Sequence, residues 1–386
     1  MCPRAHITAF ALYPPSTCTI SSAADIAACN IALAEGETDI NVVGAFTCKP
    51  GTACTIRIRN RTPDSGWITV RGNGHLVSHI TNSSGLCRLP VIWVENSDFV
   101  LIRDIGISET YACGSGPSTE STHDGMGVGI GPYSSHVLVT GMRIEAAATH
   151  ALAIGHADLI AVWNNDIVAP RTYGIVAFGA GGAHVYASKR ISGAGDAAIA
   201  AGSSGPDITI SYNYLLDNYL GLSYGYGGGQ LLVEKPARDV IVDNNVLFTS
   251  NPLNPANLDV GMELAAEIQE VTIRNNIMWN PTRVEIHWHG TDSCANRNVS
   301  FSNNAVASPM GHPPTIVLFY IADNQGCGKV ATQYFYDSQV PPIEDQALQS
   351  PLTSSTQTYP YAPADWLNPA EATLSISTPS VLDPGW

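Results

Sequence analysis

The sequence predicts an all-β solenoid, one long coil of short strands opened by a single helix and closed by an irregular tail. A segment of the form hydrophobic-x-hydrophobic-x-Asn-x-hydrophobic recurs as "LIAVWNNDI", "ITISYNYL", "VIVDNNVL", "VTIRNNIM" and "VSFSNNAV", setting Asn165, Asn213, Asn245, Asn276 and Asn304 at one register. Lys189 holds that register between the first two, so the steps run 24, 24, 32, 31 and 28 residues. A second short segment accompanies the first: "DGMGVGI", "HALAIGHA", "YGIVAFG", "AAIAAG", "LGLSYGY", "VGMELAA" and "VEIHWHG". Several strands within each repeat of roughly 20–30 residues, and no helix, is the pattern of stacked coils. The consensus of leucine-rich repeats is missing, and a propeller blade needs about 40–50 residues.

In chain order, Met1 is followed at once by Cys2 and polar residues, which reads as a mature sequence preceded by an added start Met. Residues 1–37 form an N-terminal segment whose stretch Ser21 to Gly36 carries Ile26, Cys29 and Leu33 at helical spacing behind a Ser N-cap, and this helix is expected to cap the solenoid. From Thr38 the helical period gives way to Val- and Ile-rich runs such as "CTIRIRN", "WITVRGNG" and "HVLVTGMRI", and residues 38–340 are expected to form the coil. Asn at the turn register can bond its neighbours above and below, because hydrogen-bonded strands stack about 4.8 Å apart. A Lys at an inward turn position is costly unless paired, so Lys189 signals either a rearranged turn or a functional group. Residues 341–386, rich in Pro, lack the repeat and are expected to pack on the solenoid.

The repeats and the Asn ladder together resemble the right-handed parallel β-helix of the pectate-lyase-like superfamily, from roughly Thr38 to Met310. That resemblance implies an enzyme that cleaves or modifies polysaccharides. It carries over no catalytic residues: "IGHAD" and "SKRI" only faintly echo the Gly-His-Gly and Arg-Ile-Lys elements of polygalacturonases, and the Asp-Pro-His-Asp signature of alginate epimerases is missing.

Nine cysteines sit at 2, 18, 29, 48, 54, 87, 113, 294 and 327. Their proximity along the chain predicts disulfides 18/29, 48/54, 87/113 and 294/327 with Cys2 left over, and hence a secreted, periplasmic or extracellular protein. A metal site or reduced core thiols is the competing reading, but no CxxC pair exists. Sequons at Asn60, Asn82 and Asn298 are compatible with export. Acidic residues number 33 against 18 basic, a formal charge of −15, which argues against nucleic acid as a partner. No apolar run approaches the ~20 residues of a transmembrane helix.

Chemistry-bearing side chains cluster in two late strands. Alternation turns Glu263 of "VGMELAA" and Glu285, His287 and His289 of "VEIHWHG" outward, whereas the matching positions earlier (Gly125, Gly127, Gly129, Ala151, Ala153, Gly155, Gly174, Val176) form a blank track. His287 is expected to stack over Glu263, with Glu285 offset by one strand and two residues, about 8 Å between α-carbons. Two carboxylates at such separation suit glycosidic-bond cleavage. A solvated face with incidental charge is the bland alternative. The His287/His289 pair could also hold a metal with Glu263 or Asp292, but without a third ligand at diagnostic spacing no metal is assigned.

His123, Asp124 and His150 form a second group, either an Asp–His pair bracing a turn or a substrate-binding cluster with a general base. Tyr224 and Tyr226, beside the glycine turn "GYGGGQ", offer rings for stacking on sugars; that turn lacks the lysine and helix of a P-loop. Three functions stay open: a glycoside hydrolase needing no cofactor, a polysaccharide lyase acting on uronates with calcium as a possible aid, and a non-catalytic glycan-binding or adhesin solenoid. A lyase must neutralise the uronate carboxylate, and only Lys49, Lys189, Lys235 and Lys329 supply lysine cations.

Overall fold

The computed structural model describes residues 18–61, 66–85, 89–110, 125–179, 181–202 and 206–218, and beyond these the segments 231–234, 237–249, 260–264, 268–279, 283–288, 299–302, 304–307, 317–321, 328–330, 333–336 and 356–359. Among them every strand pairing is parallel, and each strand pairs with its counterpart one coil away. One coil runs Leu152–Gly155, Asp158–Trp163, Asp166–Val168; the next runs Ile175–Phe178, His184–Ala187, Arg190–Ser192. Sheets 1, 2 and 3 denote the three stacks in that order, and the long strand Ile92–Arg103 serves both sheet 1 and sheet 2. The chain is therefore a parallel β-helix. The sheet 3 ladder continues to Thr356–Tyr359, which pairs with Gln333–Tyr336.

Inward positions hold the core. Leu152, Ile154, Ile160, Val162 and Ile167 of one coil are all buried and join one apolar cluster that runs from Cys18 to Met278. Each such side chain contributes about 1.5–3 kcal/mol through burial. The corners are made by residues with positive φ that recur from coil to coil: His136, Leu159, Ala183, Asp207, Asp239 and Glu270 between sheets 1 and 2, then Asn164, Tyr212, Asn244 and Asn275 between sheets 2 and 3.

The second corner carries the expected ladder. Asn245 Oδ1 accepts from Asn213 N (3.1 Å) and Nδ2 (2.8 Å), while its own N and Nδ2 both reach Asn276 Oδ1 at 2.9 Å. Each Nδ2 also donates to a carbonyl one coil back, Tyr186, Ile210 and Val242 in turn. Asn165 caps its turn alone, through Met142 N and Val139 O. Backbone register puts Asn304 level with Asn276. In the coil between Asn165 and Asn213 the turn is rearranged: Ser188 N, not Lys189 N, donates to Asn213 Oδ1 at 2.7 Å, and Lys189 faces solvent. The Lys thus keeps its hydration rather than entering the core.

The helix α1 spans Ala23–Glu35, with Ile26, Cys29 and Leu33 buried as the spacing predicts. Its Ser22 N-cap makes no side-chain cap bond; instead Asp25 accepts from Ser21 N, Ser21 Oγ and Ser22 Oγ, which holds its carboxyl below the usual range. The other end stops at Gly36, φ 123°, and the buried Arg61 guanidinium binds the freed carbonyls of Leu33, Gly36 and Glu37. A cation at a helix C-terminus offsets the carbonyl dipoles. The helix packs against Cys18–Ile20, Ala45–Cys48 and Ile56–Arg61, one strand of each sheet. The disulfides Cys18–Cys29 and Cys48–Cys54 form as expected; Cys2, Cys87, Cys113, Cys294 and Cys327 lie outside the described residues.

One coil has a polar core. At inward positions filled by Ile160 and Val162 before and Ile208 and Ile210 after stand His184 and Tyr186, both buried. Tyr186 Oη and His184 Nδ1 are 2.6 Å apart, and His184 Nε2 lies 2.9 Å from Ala157 O. The consistent tautomer has Nε2–H donating to the carbonyl and Tyr186 donating to Nδ1. Burial holds the imidazole below its ordinary value, opposed by the Ala157 carbonyl and the Asp158 carboxylate, and burial pushes the Tyr186 hydroxyl up. A group whose folded pKa is depressed loses its stabilising contribution as pH falls below the unfolded value, 6.5 for His184. Stability of the native protein is therefore expected to drop between pH 7 and 5. Tyr186→Phe leaves Nδ1 an unsatisfied acceptor and is expected to cost about 1–3 kcal/mol. Adding His184→Leu should restore most of that loss and flatten the acid dependence in chemical denaturation, because Ala157 O keeps its bond from Gly181 N.

Candidate functional site

Sheet 1 carries Glu263, Glu285 and His287. Its backbone register runs Trp93, Gly129, Ala153, Val176, Ala200, Leu232, Glu263, Glu285 and Leu318, one residue per coil. Glu263 is thus paired directly with Glu285, and His287 with Tyr320. This corrects the expectation that His287 stacks over Glu263 with Glu285 offset by two residues. Two one-residue differences add up: Val260 already pairs with Arg283 rather than Val284, and the pairing shifts by one more before Glu263, which falls opposite Glu285. One extra residue on a strand moves every later partner by one position. The α-carbons of the two glutamates are then one strand spacing apart, about 4.8 Å, instead of about 8 Å. His289 lies outside the described residues, as do His123, Asp124, Tyr224 and Tyr226.

The track before the glutamates is not blank. Ala151 is fully buried in the core, and a Cβ on Gly127 or Gly174 would meet the inward side chains Ile144 or Ile191, so these three do not face outward. They precede the strands, where alternation no longer applies. Gly129 and Gly131 do face outward, but the Trp93 indole lies against them, 2.5 and 2.8 Å from where their Cβ atoms would be. Trp93 Nε1 donates to Glu95 (3.2 Å), which also pairs with Arg59 at 3.0 Å. Alternation within "VIWVENSD" was the signal that could have placed Trp93 and Glu95 on this face.

Farther along, Val176 and Ala200 at the same register are buried and form with Ala197 a separate apolar cluster, against which Ala153, Tyr173 and Phe178 pack. Tyr173 meets Phe178 edge-on at 6.3 Å and lies 5.3 Å from the His150 ring. His150 Nδ1 is 2.6 Å from Thr172 Oγ1, which donates to Thr149 O. His150 is accordingly braced within its turn. Among the described residues no three His, Cys, Asp or Glu side chains converge as metal ligands. No described helix is long and apolar enough to cross a membrane.

Neither protein-family models nor curated protein sequences match the chain. Solved structures do. An alginate lyase from Paenibacillus sp. str. FPU-7 matches with a TM-score of 0.56 at 13% identity, covering 75% of this chain and 94% of its own. A DFA-IIIase from Arthrobacter chlorophenolicus A6 matches with 0.52 at 12% identity, over 88% of this chain and 80% of its own. The enzymatically active domain of Bacteriophage CBA120 tailspike protein 2 matches with 0.53 at 8% identity, over 88% and 51%. At such identities the likeness is one of fold, and the chain shares with these proteins the parallel β-helix expected from its repeats.

Proposed function

We propose that the protein is a secreted carbohydrate-active enzyme that hydrolyses glycosidic bonds of a polysaccharide or oligosaccharide on the outer face of sheet 1. The observation that carries this reading is the direct pairing of Glu263 with Glu285 on adjacent strands. Glycosidases flank the scissile bond with two carboxyl groups, about 5–5.5 Å apart when the anomeric configuration is retained and about 6.5–9.5 Å apart when it is inverted. Paired α-carbons one strand spacing apart favour retention. One glutamate is the nucleophile and the other the acid that protonates the leaving oxygen. Their proximity supplies the required difference in protonation, since two like charges this close oppose ionising together. His287 follows on the same strand, with His289 two residues later in the sequence, and an imidazole there tunes the acid. Trp93, Tyr173 and Phe178 add aromatic surface for sugar rings along the track.

The fold of the alginate lyase supports a second reading, β-elimination on a uronate polymer. That chemistry needs a cation against the substrate carboxylate, and calcium would meet the need. A screen over neutral and uronate polymers separates the readings: new reducing ends without absorbance near 235 nm support hydrolysis, and absorbance near 235 nm supports the lyase. Export agrees with the two disulfides.

A further inference from the structure

We infer that the corner between sheets 1 and 2 is a second saccharide-binding strip, separate from the glutamate pair and selective for uncharged glycan chains. Two columns of corner residues form it. In one, Trp67, Phe99 and His136 stand at the same register on three successive coils. Phe99 stacks flat on His136, 4.4 Å between ring centroids at 12°, and meets Trp67 at 5.5 Å and 81°. The Trp67 and Phe99 rings are nearly perpendicular, so the indole does not stack face to face on Phe99. Trp67 is 48% exposed. In the second column the positive-φ residues Asn60, Asn96, Tyr133 and His156 follow one another, and Tyr133 is 81% exposed.

Nothing about the coil requires large rings at these positions. The equivalents of Trp67 and Phe99 in later coils are Leu159, Ala183, Asp207, Asp239 and Glu270. The rings are also held in place. His136 Nδ1 contacts Ser135 Oγ at 3.0 Å, and Ser135 donates to Asp98 at 2.6 Å, which fixes the imidazole beneath Phe99. Asn96 Nδ2 donates to Asn60 Oδ1 at 2.9 Å, leaving the remaining amide groups at the surface for hydroxyl partners. Rigid aromatic faces flanked by amides suit a pyranose, whose axial C–H groups pack on a ring while its hydroxyls bond at the rim. Beside the columns Arg59 and Glu95 pair with each other at 3.0 Å, while Asp98 and the exposed Asp158 leave the local charge negative, which opposes an anionic polymer and so selects an uncharged one.

Affinity electrophoresis through native gels cast with soluble mixed-linkage β-glucan, xylan or galactomannan tests this, with alginate and polygalacturonate gels as anionic comparisons. The native protein is expected to be retarded by at least one neutral polymer. Trp67→Ala and Tyr133→Ala should each raise the Kd about ten-fold, roughly 1.4 kcal/mol, and together abolish retardation. Tyr133 touches solvent over most of its surface, so its variant keeps the fold even if Trp67→Ala does not. Unchanged retardation in the folded Tyr133→Ala and double variants, or retardation by the anionic gels alone, or by none, overturns the strip. The readout is binding, so a lack of cleavage counts against Glu263 and Glu285 and leaves this inference standing.

Discussion

Replacing Glu263 or Glu285 by Gln is expected to slow glycosidic cleavage by about 10²–10⁴-fold, the usual contribution of a positioned proton-transfer or nucleophilic group, with little change in melting temperature. Gln preserves shape and hydrogen bonding but neither protonates a leaving oxygen nor attacks a sugar carbon. The two variants should also change the pH profile of whatever rate is left. A reaction that needs one carboxyl protonated and the other ionised gives a bell-shaped native profile. With one removed, the limb which that carboxyl controls should be lost from the profile. Initial rates from pH 3 to 9 on the substrate found by screening measure both effects. Native-like turnover in both variants would move attention to the His123, Asp124 and His150 group.

Asn245→Ala is expected to have the largest effect on stability, lowering it by about 3–5 kcal/mol in denaturant unfolding. The buried amide joins Asn213 to Asn276 and also serves Ile210 O. Its loss strands buried donors on one side and acceptors on the other, each worth about 1–3 kcal/mol when left unpaired, with partial relief by water. Asn165→Ala should cost less, because that amide serves only Met142 N and Val139 O. A double-mutant cycle of Asn245 with Asn276 should show strong coupling, as neighbours in one network do, whereas Asn165 with Asn276 should be additive.

The coil was legible in the sequence because its determinants are local and repeated. Alternation places Ile160, Val162 and Ile167 inward, and the turn asparagines announce their register by their spacing. Helix α1 and the disulfides Cys18–Cys29 and Cys48–Cys54 were legible for the same reason, being contacts between near neighbours. The pairing of Glu263 with Glu285 was not: Val260 already pairs one position away from the expected register and an extra residue before Glu263 shifts it once more, and neither offset is written in the alternation of a single strand. His184 and Tyr186 were hidden in another way. Each looks misplaced at an inward position, and only together, with Ala157 O, do they satisfy one another. The indole of Trp93 on Gly129 and Gly131 is a contact between coils, and no count along one strand reveals it.

The most direct test of the glutamate pair is the configuration of the newly released sugar, read by proton NMR in the first minutes of cleavage, before mutarotation mixes the anomers. A separation near one strand spacing predicts that the released sugar first appears with the configuration of the bond that was cut. An inverted product, or an unsaturated sugar absorbing near 235 nm, would contradict a Glu263–Glu285 nucleophile and acid.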